Sequence, residues 1–192
     1  MKRCFWVDEK SDIYTKYHDE EWGVPTYDDS TLFEFLILES FQAGLSWLTI
    51  LKKREAFREA FDGFDVQKIV LYDECKVNKL LQNANIVRSR GKILAAINNA
   101  KIFLSLQKEF GSFSKYIWGF TDYKIIKRTT DDVIVSSQLS DAISKDLKKR
   151  GMKYVGTIII YSYLQAIGIV NDHDKNCFKY QCDDERLTSS CL

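Results

Sequence analysis

Residues 140–168 read SDAISKDLKKRGMKYVGTIIIYSYLQAIG. Ser140 and Asp141 open a helix carrying Ala142, Ile143 and Leu147, the residues from Gly151 to Gly156 reverse the chain, and Thr157 to Gly168 resumes as a mostly apolar helix. Glycine at each end of the reversal lets the backbone turn tightly and approach a ligand closely. The second helix offers unpaired N–H groups at its start, where an anion is favoured. Lys145, Lys148, Lys149, Arg150 and Lys153 crowd the same reversal. In chemical terms this is a grip for a nucleic-acid phosphate, and in structural terms it is a solvated basic face beside a glycine turn; spacing alone leaves both readings open.

Helical patterning extends outward from this unit. One proline and nine glycines in 192 residues are too few for the turns of a sandwich or barrel of short strands. Asp28, Asp29 and Ser30 cap a helix that runs to about Phe41 with Leu32, Phe35, Leu36 and Glu39 on one face. Gly44 separates it from a helix over Ser46–Ala60, in which Trp47, Ile50, Leu51 and Phe57 turn inward and Lys52, Lys53, Arg54 and Glu55 meet solvent. From Gly91 to about Lys108, the residues Ile93, Ile97, Ala100 and Leu104 recur at helical spacing as a buried stripe. Shorter helices are predicted over 66–72, 76–84 and 113–118, and an irregular loop over 122–136. The expectation is an all-α fold, one domain over 1–180, and a flexible polar tail over 181–192.

Hydrophobic residues make up 45% of the chain and charged ones 29%, enough for a sizeable core and unlike a disordered protein. The 28 basic and 27 acidic residues nearly cancel, so binding to nucleic acid must rest on local patches. Arg88-Ser89-Arg90-Gly91-Lys92 is a second such patch. It lies at a helix start, where cations oppose the dipole, and reads either as a phosphate contact or as a solvated loop. No apolar run approaches the ~18 residues of a membrane span, and the N-terminus runs into charged residues, not an apolar signal core. A cytoplasmic protein without a membrane partner is expected. Five cysteines without an export signal do not read as a disulfide framework.

The two histidines are each near a cysteine: His173 precedes Cys177 by one helical turn, and Cys4 and His18 form a second pair near the N-terminus. Four N/S donors of this kind suit tetrahedral zinc in a closed, structural site, which would tie the chain ends together. Buried thiols and unrelated histidines are the alternative, since ligands so distant are not paired by spacing. Cys75, Cys182 and Cys191 lack a histidine companion and read as ordinary thiols. Glu39 interrupts the apolar run Leu36-Ile37-Leu38-Glu39-Ser40-Phe41, where an unpartnered carboxylate is costly. It is either a functional acid or a structural hydrogen-bond partner for a helix end. Trp6, Tyr14, Tyr17, Trp22 and Trp47 lie in the neighbouring motifs, and such rings either fill the core or stack on a base, most favourably a cationic one.

Six stretches carry a resemblance: RCFWV (3–7), YHDEEWGVP (17–25), LESFQAGLSWLTILKKRE (38–55), IVRSRGKI (86–93), LKKRGMKYVGT (147–157) and GIVNDHDKNC (168–177). Together they resemble, in order and over nearly the whole chain, the DNA-3-methyladenine glycosylases of the constitutive bacterial type, within the helix-hairpin-helix DNA glycosylase superfamily. The resemblance implies a helix-hairpin-helix glycosylase-like fold with a structural zinc on Cys4, His18, His173 and Cys177, joining the N- and C-terminal segments. It implies a base pocket in which Glu39 is the catalytic carboxylate and accepts from the adenine edge, with Tyr17 and Trp47 as stacking or edge contacts and Trp6 as a wall. It further implies that Lys149, Arg150, Gly151, Lys153 and Gly156 hold the DNA backbone.

The implied reaction is hydrolysis of the N-glycosidic bond of 3-methyladenine in alkylated double-stranded DNA by a monomeric, monofunctional enzyme, leaving an abasic site. The damaged nucleotide would be extruded at a cost of ~a few kcal/mol, less for a weakened pair. Ser40 and Phe41 depart from some members of the family, which puts fine base preference in question. Asp172 lies roughly where the broader superfamily has an aspartate that stabilises the sugar cation, but Asn171 and His173 bracket it, and orienting a zinc-bound histidine is an equal reading. Two other functions remain: a zinc-stabilised DNA-binding module without catalysis, and a hydrolytic zinc with Glu39 as its base, which needs an open metal position.

Overall fold

The computed structural model describes residues 1–127 and 132–180. The expected tail over 181–192, with Cys182 and Cys191, lies outside the described residues, as do residues 128–131 of the expected loop. The helices are α1 (Asp12–Glu20), α2 (Asp29–Gln42), α3 (Trp47–Ala60), α4 (Val66–Ile69), α5 (Glu74–Gln82), α6 (Arg90–Phe110), α7 (Phe113–Gly119), α8 (Gln138–Lys149) and α9 (Thr157–Ala166). A single 3-10 turn spans Asp62–Phe64, and the only described strands are β1 (Ile126–Lys127) and β2 (Val170–Asn171), paired in parallel. The fold is all-α as expected. No described helix is long and apolar enough to cross a membrane.

The centre is α2. Leu32, Phe33, Phe35 and every residue from Leu36 to Phe41 are buried, so the helix is covered on all sides. Its start is built by two aspartates. Asp28 accepts a hydrogen bond from the Thr31 N–H at 2.8 Å, while Asp29 accepts from the Phe113 and Ser114 N–H groups at 2.9 and 2.7 Å and so caps α7 instead of its own helix. Stacked Phe103 and Phe113, with ring centroids 4.2 Å apart, and Phe33 at 4.9 Å from Phe103 fill the space among α2, α6 and α7. Each such burial stabilises the fold by about 2 kcal/mol. On the opposite side α8 and α9 pack together across the hairpin, and the Tyr163 hydroxyl of α9 donates to the Leu32 carbonyl of α2 at 3.1 Å.

Several details differ from the sequence reading. Helix α8 begins at Gln138, because Ser137 and Ser140 form a reciprocal capping box upstream of the expected start. Ala142 faces solvent. In α6 the buried stripe passes through Phe103 and Leu106, and Leu104 is only half-buried. The expected loop over 122–136 contains β1. Gly151 has φ +98, as a tight turn requires, but Gly156 is extended at φ −62; the second left-handed residue of the hairpin is Tyr154, at φ +55. Helix α1 has no counterpart in the sequence reading.

Arg54, expected in solvent, is buried. Its guanidinium donates to Glu34 of α2 and to Glu21 just after α1, and lies 5.0 Å from the centre of the Phe35 ring. Burial opposes its charge, and Glu34 and Glu21 outweigh the burial, raising its pKa. Arg54 thereby clamps α1 and α2 to α3. Arg58 still covers Glu34 when Arg54 is removed. Arg54→Ala is therefore expected to cost about 2 kcal/mol, the scale of lost charged hydrogen bonds, in urea denaturation; an unchanged midpoint would show the clamp to be idle.

Candidate active site

Trp6, Tyr14, Tyr17, Trp22 and Trp47 enclose a cavity of about 270 Å³, whose floor carries Glu39. Tyr14 and Tyr17 are three residues apart on α1 and so share a face. Tyr17 lies 5.4 Å from Trp47 between ring centroids, and Trp6 lies 5.2 Å from Tyr14 and 4.9 Å from Trp22. The Tyr17 phenol is raised well above its ordinary pKa, first by burial and then by Glu39, and stays protonated. Trp47 opens α3, where Ser46 caps the helix, and its indole Nε1 is buried without a hydrogen-bond partner.

Glu39 is 3% exposed, and its Oε2 has no hydrogen-bond partner among the described residues. Among the described residues it makes no hydrogen bond to a helix end, the structural alternative that the sequence left open. Burial alone pushes its pKa up to about 8. At neutral pH the carboxyl is mostly protonated, and a cation entering beside it would stabilise the ionised form.

Asp172, for which the sequence left two readings open, is also at the cavity. Its Oδ2 accepts from Gln165 Nε2 and from the Tyr161 hydroxyl at 3.3 Å. Both donors are on α9. The His173 backbone N–H donates to Asn171 Oδ1 at 3.2 Å. Gln42, three residues beyond Glu39 and so on the same helical face, also lines the cavity; that spacing was the signal available for it. Ile158 and the segment 133–135 complete the mouth from parts of the chain that share no motif with Glu39.

Cys4, His18, His173 and Cys177 converge so that their ligand atoms all lie within 4.8 Å of one another, every residue buried. Cys4 Sγ is 3.4 Å from His173 Nδ1, and Cys177 Sγ is 3.4 Å from His18 Nε2. The outer contacts suit metal ligands. His18 Nδ1 faces Asp19 Oδ1 at 2.7 Å, Asp19 is held by Arg3, and the His173 ring hydrogen-bonds to the Trp22 backbone. Burial drives His173 down to about 3, leaving a neutral imidazole, and pushes the Cys4 thiol up. A bound cation would reverse the latter by displacing the thiol proton. Gly23, at φ +76, makes room for the ring, since a Cβ there would stand 2.8 Å from His173 Nε2. The cluster could hold a metal ion.

At the hairpin, Lys145, Lys148, Lys149 and Lys153 are exposed. Gly156 begins α9 without a side-chain cap. Arg150 is engaged elsewhere: it donates to Glu109 at 2.6 Å and to Asp146 at 2.7 Å, and lies 5.5 Å from the Phe110 and Tyr116 ring centres. The second basic patch is also partly absorbed, with Arg90 paired to Glu74 and Lys92 bonded to carbonyls at the end of α2.

A profile of the methyladenine glycosylase family matches residues 6–180. The chain belongs to that family. It is 46% identical over 183 residues to DNA-3-methyladenine glycosylase 1 of Escherichia coli strain K12, a match spanning 94% of this chain and 97% of that protein. A crystal structure of a 3-methyladenine DNA glycosylase I is 47% identical with a TM-score of 0.89, covering 93% of this chain and 100% of the other. A variant of a 3-methyladenine DNA glycosylase I, crystallised in complex with 3-methyladenine, is 38% identical with a TM-score of 0.87, covering 92% and 96%.

The shifted carboxyl has a consequence for stability. Glu39 is neutral in the fold up to about pH 8 but ionises in the unfolded chain above its ordinary value of 4.5. The unfolded state therefore binds fewer protons between these limits, and stability falls with rising pH by ~1.4 kcal/mol per unit. Glutamine does not titrate. Melting curves should show Glu39→Gln gaining on the parent protein from pH 5 to pH 8, with no relative gain below pH 4.5; a constant difference across that range would mean that Glu39 is ionised in the fold.

Proposed function

We propose that this chain is a base excision repair glycosylase that hydrolyses the N-glycosidic bond of 3-methyladenine in alkylated double-stranded DNA and leaves an abasic site. The observation that carries this reading is Glu39, a buried carboxylate with an unpartnered oxygen on the floor of an aromatic cavity. Methylation at the ring nitrogen makes the purine cationic, so the base leaves with little help from an acid. Recognition then falls to ring stacking and a carboxylate that gains from ionising beside a cation. A neutral adenine offers that carboxylate no charge and gains less. Tyr17, Trp47 and Trp6 stack on or flank the base, and Glu39 takes the adenine edge.

Lys149 and Lys153, with the backbone at Gly151 and Gly156, hold the phosphates, while Arg150 braces the hairpin from behind through Glu109 and Asp146. The hairpin, cavity and cluster belong to one chain, so a monomer suffices. Zinc is the ion that two thiolates and two imidazoles favour, and when bound it supplies a cross-link between the chain ends. All four positions around it would be filled by Cys4, His18, His173 and Cys177, which supports a structural role over a hydrolytic one.

Purified protein is expected to release 3-methyladenine from methylated duplex DNA, with release reduced about a hundredfold or more in Glu39→Gln and Trp47→Ala while both variants still fold. Undiminished release by both would remove the pocket from the mechanism, and damage-specific binding without release would make the protein a binding module. Turnover of 3-methyladenine beside 7-methylguanine measures the breadth of its preference. Metal analysis should find one zinc per chain in wild type and in Glu39→Gln. His173→Ala should lose the zinc and melt at lower temperature, and full zinc occupancy in that variant would refute the ligand set.

A further inference from the structure

Helix α2 has no basic residue in its own last turn, and Ala43 ends it at φ −45, ψ 114, without a left-handed cap. Leu45 N–H donates to the Gln42 carbonyl at 2.7 Å. The carbonyls on either side are met from another helix, for Lys92 Nζ donates to Phe41 O at 2.8 Å and Ala43 O at 2.6 Å. Lys92 stands in the first turn of α6, where a cation works against its own helix. Its charge is favourable for the C-terminus of α2. One turn earlier, Ser40 Oγ lies 2.8 Å from Leu36 O and 3.2 Å from Tyr154 O, sharing its one hydrogen between them.

Tyr154 is the hairpin residue held at φ +55. Its ring centre is 6.0 Å from Lys92 Nζ, and its hydroxyl lies where a Cβ on Gly91 would come within 3.0 Å. The turn that faces phosphate is therefore joined through its carbonyl to the residue next to Glu39, and through its ring to the lysine that holds the end of the same helix. Neither Lys92 nor Ser40 lines the cavity.

We propose that Lys92 and Ser40 are positioning residues that lock the hairpin to the Glu39 end of α2, so that a phosphate seated on the hairpin sets the register in which the extruded base meets the carboxylate. The inference rests on the glycosylase reading. Binding of free base uses the cavity alone, whereas turnover of duplex uses cavity and hairpin in fixed relation. Loss of the lock therefore strikes kcat selectively, since small misplacement is costly to a reaction that depends on orientation.

The experiment compares wild type, Lys92→Met, Lys92→Arg and Ser40→Ala in single-turnover release from a duplex carrying one 3-methyladenine, alongside binding of free 3-methyladenine followed by tryptophan fluorescence. Expected is a fall in kcat of between about tenfold and a hundredfold in Lys92→Met, a smaller fall in Ser40→Ala, and free-base affinity and duplex KM close to wild type. Lys92→Arg, whose donors reach the same carbonyls, should restore most of kcat. A Lys92→Met kcat within about twofold of wild type overturns the inference. So does a parallel loss of free-base affinity and melting temperature that arginine does not rescue, which would mark a general structural role. Failure of wild type to release base would instead overturn the glycosylase reading on which the inference stands.

Discussion

Glu39 belongs to a helix buried on every side, and no group among the described residues donates a hydrogen bond to its Oε2. Desolvation without compensation is the constraint around which the rest is arranged. It favours the protonated carboxyl and makes ionisation depend on a partner that brings positive charge. The fold withholds that partner: Arg54, the buried guanidinium, is committed to Glu34 and Glu21. The selectivity proposed for the cavity follows from a missing protein contact as much as from the rings that line it.

The Cys4, His18, His173 and Cys177 cluster and the cavity share a wall. Trp6 lies 5.4 Å from the His18 ring on one side and forms part of the cavity on the other, and Trp22 is similarly placed 4.6 Å from His173. The first residues of the chain reach this position because they are tied to its last described turn, where Phe5 N–H donates to Asp174 and Phe178 N–H donates to the Lys2 carbonyl. An ion joining the four ligands would brace the aromatic wall from behind, which gives a structural site an influence on recognition without a chemical step of its own.

Charge is distributed with comparable economy. The chain is nearly neutral overall, yet the lysines of the hairpin remain exposed while Arg150 is paired with Glu109 and Asp146, and in the second basic patch Arg90 is paired with Glu74 at the surface and Lys92 is bonded to carbonyls at the end of α2. Basic residues adjacent in sequence thus divide into those that can meet phosphate and those that hold helices together.

Local sequence determined most of the helices, because apolar spacing and capping residues act within a few positions: Asp28 caps α2 as read, α3 falls within the stretch read for it, and the reversal at Gly151 falls where the glycine required it. The convergence of Cys4, His18, His173 and Cys177, and the company of rings around Glu39, were legible through the family resemblance; spacing alone left each open. Helix α1 was missed because its mixed polar pattern carries little hydrophobic signal until Tyr17 and His18 find their partners. Arg54 was misread because a basic stretch on a helix is ordinarily solvated, and only the approach of Glu34 from α2 makes burying it tolerable. The role of Lys92 at the end of α2 depends on acceptors 51 and 49 residues away in the chain. Periodicity carries no information about such partners, because a hydrogen bond between remote segments exists only after the helices have packed.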